Sequence, residues 1–66
     1  MQLIINGDPM EVPEQTTAAQ LIELLELGNK RLAIEANMEI VPRSQFDTHT
    51  FQAGDQIEIV TAIGGG

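Results

Sequence analysis

The sequence predicts a single α+β domain in which a mixed sheet of four to five strands packs against one helix. Alternating apolar residues at both ends of the chain, a hairpin signal after the first strand and one capped amphipathic helix all indicate this class. A chain of 66 residues is the length of one domain. We assign residues 1–62 to this domain and residues 63–66 to a flexible C-terminal glycine tail.

A hairpin is predicted at the start of the chain. Residues 1–6 alternate, so that every second side chain faces the core. The pair Asn6 and Gly7 favours a type I′ turn, because both residue types tolerate positive φ angles. The second strand returns from this turn and ends near Pro13.

One helix is predicted after the hairpin. Thr17 and Gln20 fit a capping box, in which each side chain accepts a hydrogen bond from the other residue's backbone N–H. The apolar residues that follow have the i, i+3, i+4, i+7 spacing of a buried stripe: Ala18, Leu21, Ile22 and Leu25. Gly28 is expected to end this helix in the left-handed conformation.

The remaining chain contains three predicted strands. Residues 31–36 alternate, and residues 40–42 are expected at an edge because Pro42 cannot donate a hydrogen bond to a central ladder. Ser44 is expected to cap a single helical turn. Gly54 opens a turn into the last strand, residues 56–62, which we expect to lie beside the first strand and parallel to it in the centre of the sheet.

Composition limits the classes of function. Ten acidic residues and three basic ones give a net charge of −7, which disfavours nucleic acid and anionic membranes and favours protein partners with basic surfaces. No cysteine is present, which excludes disulfides and thiolate metal sites, and a lone His49 cannot assemble a zinc site. No secretory signal or apolar stretch of about 20 residues occurs, so we expect a cytoplasmic protein.

The charged residues do not indicate an enzyme. His49 has no carboxylate or serine partner by spacing, and Glu23 and Glu26 lie on the solvated face of the predicted helix. No glycine-rich phosphate loop follows a strand. We therefore expect no catalytic residues, no metal and no bound cofactor.

The last residues are the strongest candidate site. Gly64 and Gly65 lack Cβ atoms, so the tail they form can thread into a narrow partner active site, and from Ile63 it spans about 13–14 Å when extended. The carboxyl group of Gly66 is then the reactive group. It needs activation by a partner, most simply as an acyl-adenylate made with ATP. A frayed end without any role is the alternative.

A docking surface is expected on the outer face of the sheet. Ile4 on the first strand and Val60 and Ala62 on the last are expected to be neighbours there, and Ile63 continues the patch into the tail. Isolated surface apolar residues are also common without any function.

The chain resembles the ThiS family, the bacterial sulfur carriers of thiamine (thiazole) biosynthesis, over essentially its whole length. The segments that carry the resemblance are Leu32-Ala33-Ile34-Glu35-Ala36-Asn37, Ile40-Val41-Pro42-Arg43-Ser44, Gly54-Asp55-Gln56-Ile57-Glu58-Ile59-Val60 and Ala62-Ile63-Gly64-Gly65-Gly66. Met38 stands at a turn where glycine is more readily expected.

The resemblance implies a β-grasp (ubiquitin-like) fold and a carrier cycle. A ThiF-like adenylyltransferase would adenylate Gly66. Sulfur derived from cysteine through a desulfurase would replace AMP to leave a thiocarboxylate, and thiazole synthase (ThiG) would accept that sulfur. By this resemblance Gly65 and Gly66 are functional, whereas Arg43 is expected to donate a structural hydrogen bond to backbone near the edge strand.

Two other functions share these sequence features. The small subunit of molybdopterin synthase has the same fold and tail chemistry but delivers sulfur to a pterin, and the Val41-Pro42-Arg43-Ser44 segment favours the thiamine branch. A ubiquitin-like interaction module whose tail is never activated belongs to a different class, against which the terminal glycines argue.

Overall fold

The computed structural model describes residues 1–62, and the predicted tail at 63–66 lies outside the described residues. In the described part, one five-stranded sheet packs against one helix, as the sequence predicts. The elements are β1 (Gln2–Ile5), β2 (Asp8–Glu11), α1 (Ala18–Leu24), β3 (Leu32–Ala36), β4 (Glu39–Val41), a 3-10 turn (Arg43–Gln45) and β5 (Gln56–Thr61).

The strand order in the sheet is β2-β1-β5-β3-β4. β5 is the central strand, parallel to β1 and antiparallel to β3, which confirms the predicted pairing of the first and last strands. β4 lies at one edge and β2 at the other. Pro9 has no N–H to donate, and an edge strand such as β2 tolerates this because one of its sides has no neighbouring strand. The last strand is therefore hydrogen-bonded on both sides.

The core lies between the sheet and α1. Leu21 of the helix and Leu3, Ile34 and Ile57 of the three inner strands are almost completely buried. Phe51 is the aromatic residue that joins this otherwise aliphatic cluster. Burying an aliphatic side chain of this size contributes about 1.5–3 kcal/mol, and this burial opposes the large conformational entropy of a small chain.

The local signals at the first hairpin and the helix start are confirmed. Asn6 and Gly7 form the two-residue loop with φ angles of 50° and 87°. The Gln20 backbone N–H donates to Thr17 Oγ1 at 3.2 Å, and the Thr17 backbone N–H donates to Gln20 Oε1 at 2.9 Å. Both ends of the capping box are thus made.

The predicted helix stop at Gly28 is wrong. α1 ends at Leu24, and Glu26 takes the left-handed conformation with a φ of 58°, whereas the φ of Gly28 is not positive. The Leu27 backbone N–H donates to the Ile22 carbonyl and the Glu26 backbone N–H to the Glu23 carbonyl, each at 3.0 Å, which is the Schellman pattern. Leu27 packs against the core, and this contact ends the helix before the predicted stop at Gly28.

The predicted cap at Ser44 is also wrong. The 3-10 turn covers Arg43–Gln45, so Ser44 lies inside it, and no side chain caps its start. Pro42 takes the capping position in an extended conformation, and its carbonyl accepts the Gln45 backbone N–H at 2.8 Å. The proline that follows β4 thus begins the turn two residues earlier than expected.

No helix within residues 1–62 is long and apolar enough to cross a membrane.

Candidate functional site

The base of the C-terminal segment lies at the end of β5. Ala62 is the last described residue, and its backbone N–H donates to the Arg31 carbonyl at 2.9 Å. The side chains of Ile57 and Ile59 on β5 lie in the core, with 1% and 7% of their surface exposed. Ile63, Gly64, Gly65 and Gly66 lie outside the described residues, so their roles remain predictions.

Two asparagine side chains form hydrogen bonds to the backbone of β5 in addition to those of its strand ladders. The Ile59 backbone N–H donates to Asn6 Oδ1 at 2.9 Å, and Asn6 Nδ2 donates to the Ile59 carbonyl at 3.2 Å. Similarly, the Gln56 backbone N–H donates to Asn37 Oδ1 at 3.0 Å. The sequence indicates Asn6 only as a turn residue. Its bridge to a strand 53 residues away has no local signal.

The expected contact between Ile4 and Val60 is wrong. Ile4 pairs with Gln56 at the start of β5, whereas Val60 pairs with Ala33 on the other side of that strand. Four residues along a strand separate Gln56 from Val60, a distance of about 13 Å. β1 and β5 run in the same direction, and the end of β1 lies beside the start of β5. The docking roles of Ile4, Val60, Ala62 and Ile63 remain predictions.

The outer face of the sheet near the end of β5 carries one exposed apolar pair. Val60 is 67% exposed, and its cross-strand partner Ala33 is exposed as well. Ile40 on β4 is 68% exposed on the same face, but its cross-strand partner is Glu35. Sequence reasoning missed Ala33 and Ile40 as members of this face. The outward positions in the alternating segment 31–36 could have identified Ala33.

A shallow groove with a volume of about 670 Å³ lies beside the end of β5. We call it the basic groove, because two arginines contribute to a lining made up of Arg31, Leu32, Ala33, Arg43, Val60, Thr61 and Ala62. Arg43 Nη2 donates to the Leu32 carbonyl at 3.4 Å, and its guanidinium carbon lies 5.8 Å from the centre of the Phe46 ring. This confirms that Arg43 donates to backbone near the edge strand.

His49 has a structural position. Its carbonyl accepts the Ala18 backbone N–H at 2.9 Å at the start of the helix, and its ring packs edge-on against Phe51 with centroids 5.1 Å apart. Within residues 1–62, no group of three or more metal-ligating side chains could hold a metal ion. The described residues therefore bring no metal-binding cluster together around this histidine.

The order of the strands, with a central β5 parallel to β1 and a single helix across one face, defines this chain as a β-grasp (ubiquitin-like) protein. The family model of the ThiS family matches residues 3–66. The sulfur carrier protein ThiS of Escherichia coli is 36% identical over 66 residues, and the match covers the whole of both chains. The chain belongs to the ThiS family.

The crystal structure of a thiamine biosynthesis protein (ThiS) from Geobacter metallireducens has the same fold. Its TM-score is 0.84 at 32% sequence identity, with all of both chains covered. A thiazole synthase from Paramagnetospirillum magneticum is 38% identical over the whole of this chain. The chain spans only 20% of the length of that relative, so it is similar to one part of a much longer protein.

Proposed function

We propose that this chain carries sulfur for the thiazole ring of thiamine on the carboxyl group of Gly66. The observation that carries the proposal is the similarity to the sulfur carrier protein ThiS of Escherichia coli, which extends over the whole of both chains. In this role the chain is a co-substrate on which partner enzymes act, and it is not itself an enzyme.

The chemistry begins at Gly66. A carboxylate is a poor electrophile, so a ThiF-like adenylyltransferase activates it: one carboxylate oxygen attacks the α-phosphorus of ATP and pyrophosphate leaves. Hydrosulfide can attack the carbonyl carbon and displace AMP, which leaves a thiocarboxylate directly. When a cysteine desulfurase system supplies the sulfur as a persulfide, the same attack gives an acyl disulfide, and a thiol then cleaves its S–S bond, releases the thiocarboxylate and is itself oxidised to a disulfide. ATP belongs to the partner's reaction, and its use leads us to place the cycle in the cytoplasm.

Thiazole synthase is the proposed sulfur acceptor. Two relatives named thiazole synthase, from Paramagnetospirillum magneticum and Magnetococcus marinus, contain a region similar to all of this chain at 38% and 35% identity. A carrier and an acceptor that occur in one polypeptide are at high effective concentration to each other. The presence of a similar region within two thiazole synthases supports a partnership between this chain and a separate thiazole synthase.

The fold suits a carrier because the base of the C-terminal segment is firmly held. β5 pairs with β3 as far as Thr61, and Ala62 still donates to the Arg31 carbonyl. The four residues from Ile63 to Gly66 can extend over about 13–14 Å. The folded domain can therefore dock on the surface of a partner while Gly64 and Gly65 thread into its active site.

Intact-mass spectrometry tests this function. The protein is incubated with ATP, its cognate adenylyltransferase and sulfide, and we expect the mass increase that replacement of one oxygen by sulfur produces. Omission of ATP is the first control. Deletion of Gly66 is the second, and this variant is expected to retain the circular dichroism spectrum of the wild type but to gain no sulfur.

Two results would refute the proposal. A wild-type protein that never gains sulfur at its C-terminal glycine would remove the carrier role. A Gly66 deletion that still supports thiazole formation by thiazole synthase would show that the reactive group lies elsewhere.

A further inference from the structure

We propose that the basic groove binds carboxylate side chains of the protein that receives the C-terminal segment, and that this contact sets the orientation in which the domain docks. The inference rests on the proposed function, because it assumes that a partner takes up this segment. It assigns a binding role to Arg31 and Arg43.

The charge distribution is the first observation. The chain has ten acidic residues and only three basic ones. Two of the three basic residues line the basic groove, and no carboxylate lines its described part. Among residues 1–62 the one ion pair within 4 Å joins the Met1 amino group to Glu11, at 3.7 Å. Arg31 and Arg43 therefore form no salt bridge with a carboxylate of the described domain, and their N–H groups can pair with an external anion.

The position of the groove is the second observation. The carbonyl of Arg31 accepts the backbone N–H of Ala62, so Arg31 stands directly at the base of the C-terminal segment. Arg43 is held by its hydrogen bond to the Leu32 carbonyl and by the Phe46 ring, which limits the rotamer entropy it loses on binding. The four residues of the C-terminal segment span at most about 13–14 Å, so a protein that takes up this segment has its own surface close to this groove.

The chemistry of the groove favours protein carboxylates as its occupant. A guanidinium can bind a carboxylate through two parallel N–H···O bonds. Val60, 67% exposed, adds an apolar part to the lining that a protein surface can cover. A nucleic acid is disfavoured because its long array of phosphates repels a chain with a net charge of −7.

The same charges explain how the orientation is selected. At physiological ionic strength, charges interact strongly only within about 8–10 Å, so a few carboxylates on the partner act on whichever surface faces them. They attract the basic groove and repel the acidic remainder of the domain. The favoured encounter is therefore the one in which the base of the C-terminal segment faces the partner.

The test measures binding of four proteins to the cognate thiazole synthase by biolayer interferometry: wild type, Arg31→Gln, Arg31→Lys and Gln52→Glu. Gln52→Glu is the matched control, because it lowers the net charge by the same one unit as Arg31→Gln. Gln52 is exposed and precedes β5, at the end of the strand opposite Ala62. The Arg31 side chain is exposed, so we expect the melting temperature to stay close to that of the wild type.

At about 50 mM salt, Arg31→Gln is expected to raise the Kd about fivefold, as loss of one exposed charge pair predicts, and the difference should shrink at about 300 mM salt. Arg31→Lys keeps the charge but loses the two parallel N–H···O bonds, so its Kd should lie between those of the wild type and Arg31→Gln, whereas Gln52→Glu should stay within about twofold of the wild type. Equal Kd values for Arg31→Gln and Gln52→Glu would overturn the proposal, as would a wild type that does not bind thiazole synthase.

Two further measurements separate this proposal from the other possibilities. Thiocarboxylate formation by the wild type is measured in parallel: if it occurs while Arg31→Gln binds as well as the wild type, the docking role falls and the carrier function stands. Light scattering tests whether a second copy of the chain fills the groove. Dimerisation of the wild type that Arg31→Gln abolishes would also overturn the proposal.

Discussion

Replacing Gly28 with alanine is expected to stabilise the domain slightly. The φ of Gly28 is not positive, and a Cβ built on this residue meets no atom within 4 Å. Alanine at such a position restricts the unfolded chain more than the folded one. The expected gain in the free energy of unfolding is about 0.4–1 kcal/mol.

Gly54→Ala is the matched variant. A Cβ at Gly54 also meets nothing within 4 Å, but its φ is +87°, in the left-handed region. Alanine there costs about 1–2 kcal/mol. The two variants have the same composition and differ in the backbone conformation of the substituted residue, so their effects on stability should have opposite signs. For a domain of this size, each kcal/mol corresponds to about 4–8 °C in Tm.

Urea denaturation followed by far-UV circular dichroism measures both variants, with thermal melts as a second reading. Equal m-values would show that the substitutions act on stability and leave the two-state transition unchanged. If Gly28→Ala destabilised the domain as much as Gly54→Ala, Gly28 would have to be left-handed. The assignment of the helix end to Glu26 would then be incorrect.

Other substitutions test the turn, the core and the outer face. Met38→Gly should raise the free energy of unfolding by about 1 kcal/mol, because Met38 is 93% exposed and has a φ of 72°; an unchanged urea midpoint would contradict the strain argument. Leu21→Ala should lower it by about 2–5 kcal/mol, a large share of the stability of a small domain, and a loss below about 1 kcal/mol would show that the site collapses around the cavity. Val60→Asp should weaken binding to the adenylyltransferase with little change in Tm, because Val60 is 67% exposed, whereas an unchanged Kd would remove Val60 from the docking surface.

Several features were predictable because their causes lie within a few residues. Asn6 and Gly7 prefer positive φ angles, and they form the predicted turn. Thr17 and Gln20 are three residues apart, the spacing at which each reaches the other's backbone, and both hydrogen bonds are present. The alternation of apolar residues likewise identified which strand positions face the core.

Other features depended on contacts between distant parts of the chain. Gly28 was the best local candidate for a helix end, but packing of Leu27 against the core moved the left-handed residue to Glu26. Alternation predicted that Ile4 and Val60 both face outward, yet the parallel register of β1 and β5 keeps them apart.

The sequence by itself determined the fold class, the buried faces, the first turn and the resemblance to the ThiS family, because side-chain period and turn preference are set by neighbours along the chain. Only the tertiary structure decided which residues surround the base of the C-terminal segment. Arg31 and Arg43 are 12 positions apart in sequence and line one groove, because β3 pairs with β5 while the chain turns back through β4. Such a juxtaposition follows from the packing of the whole sheet.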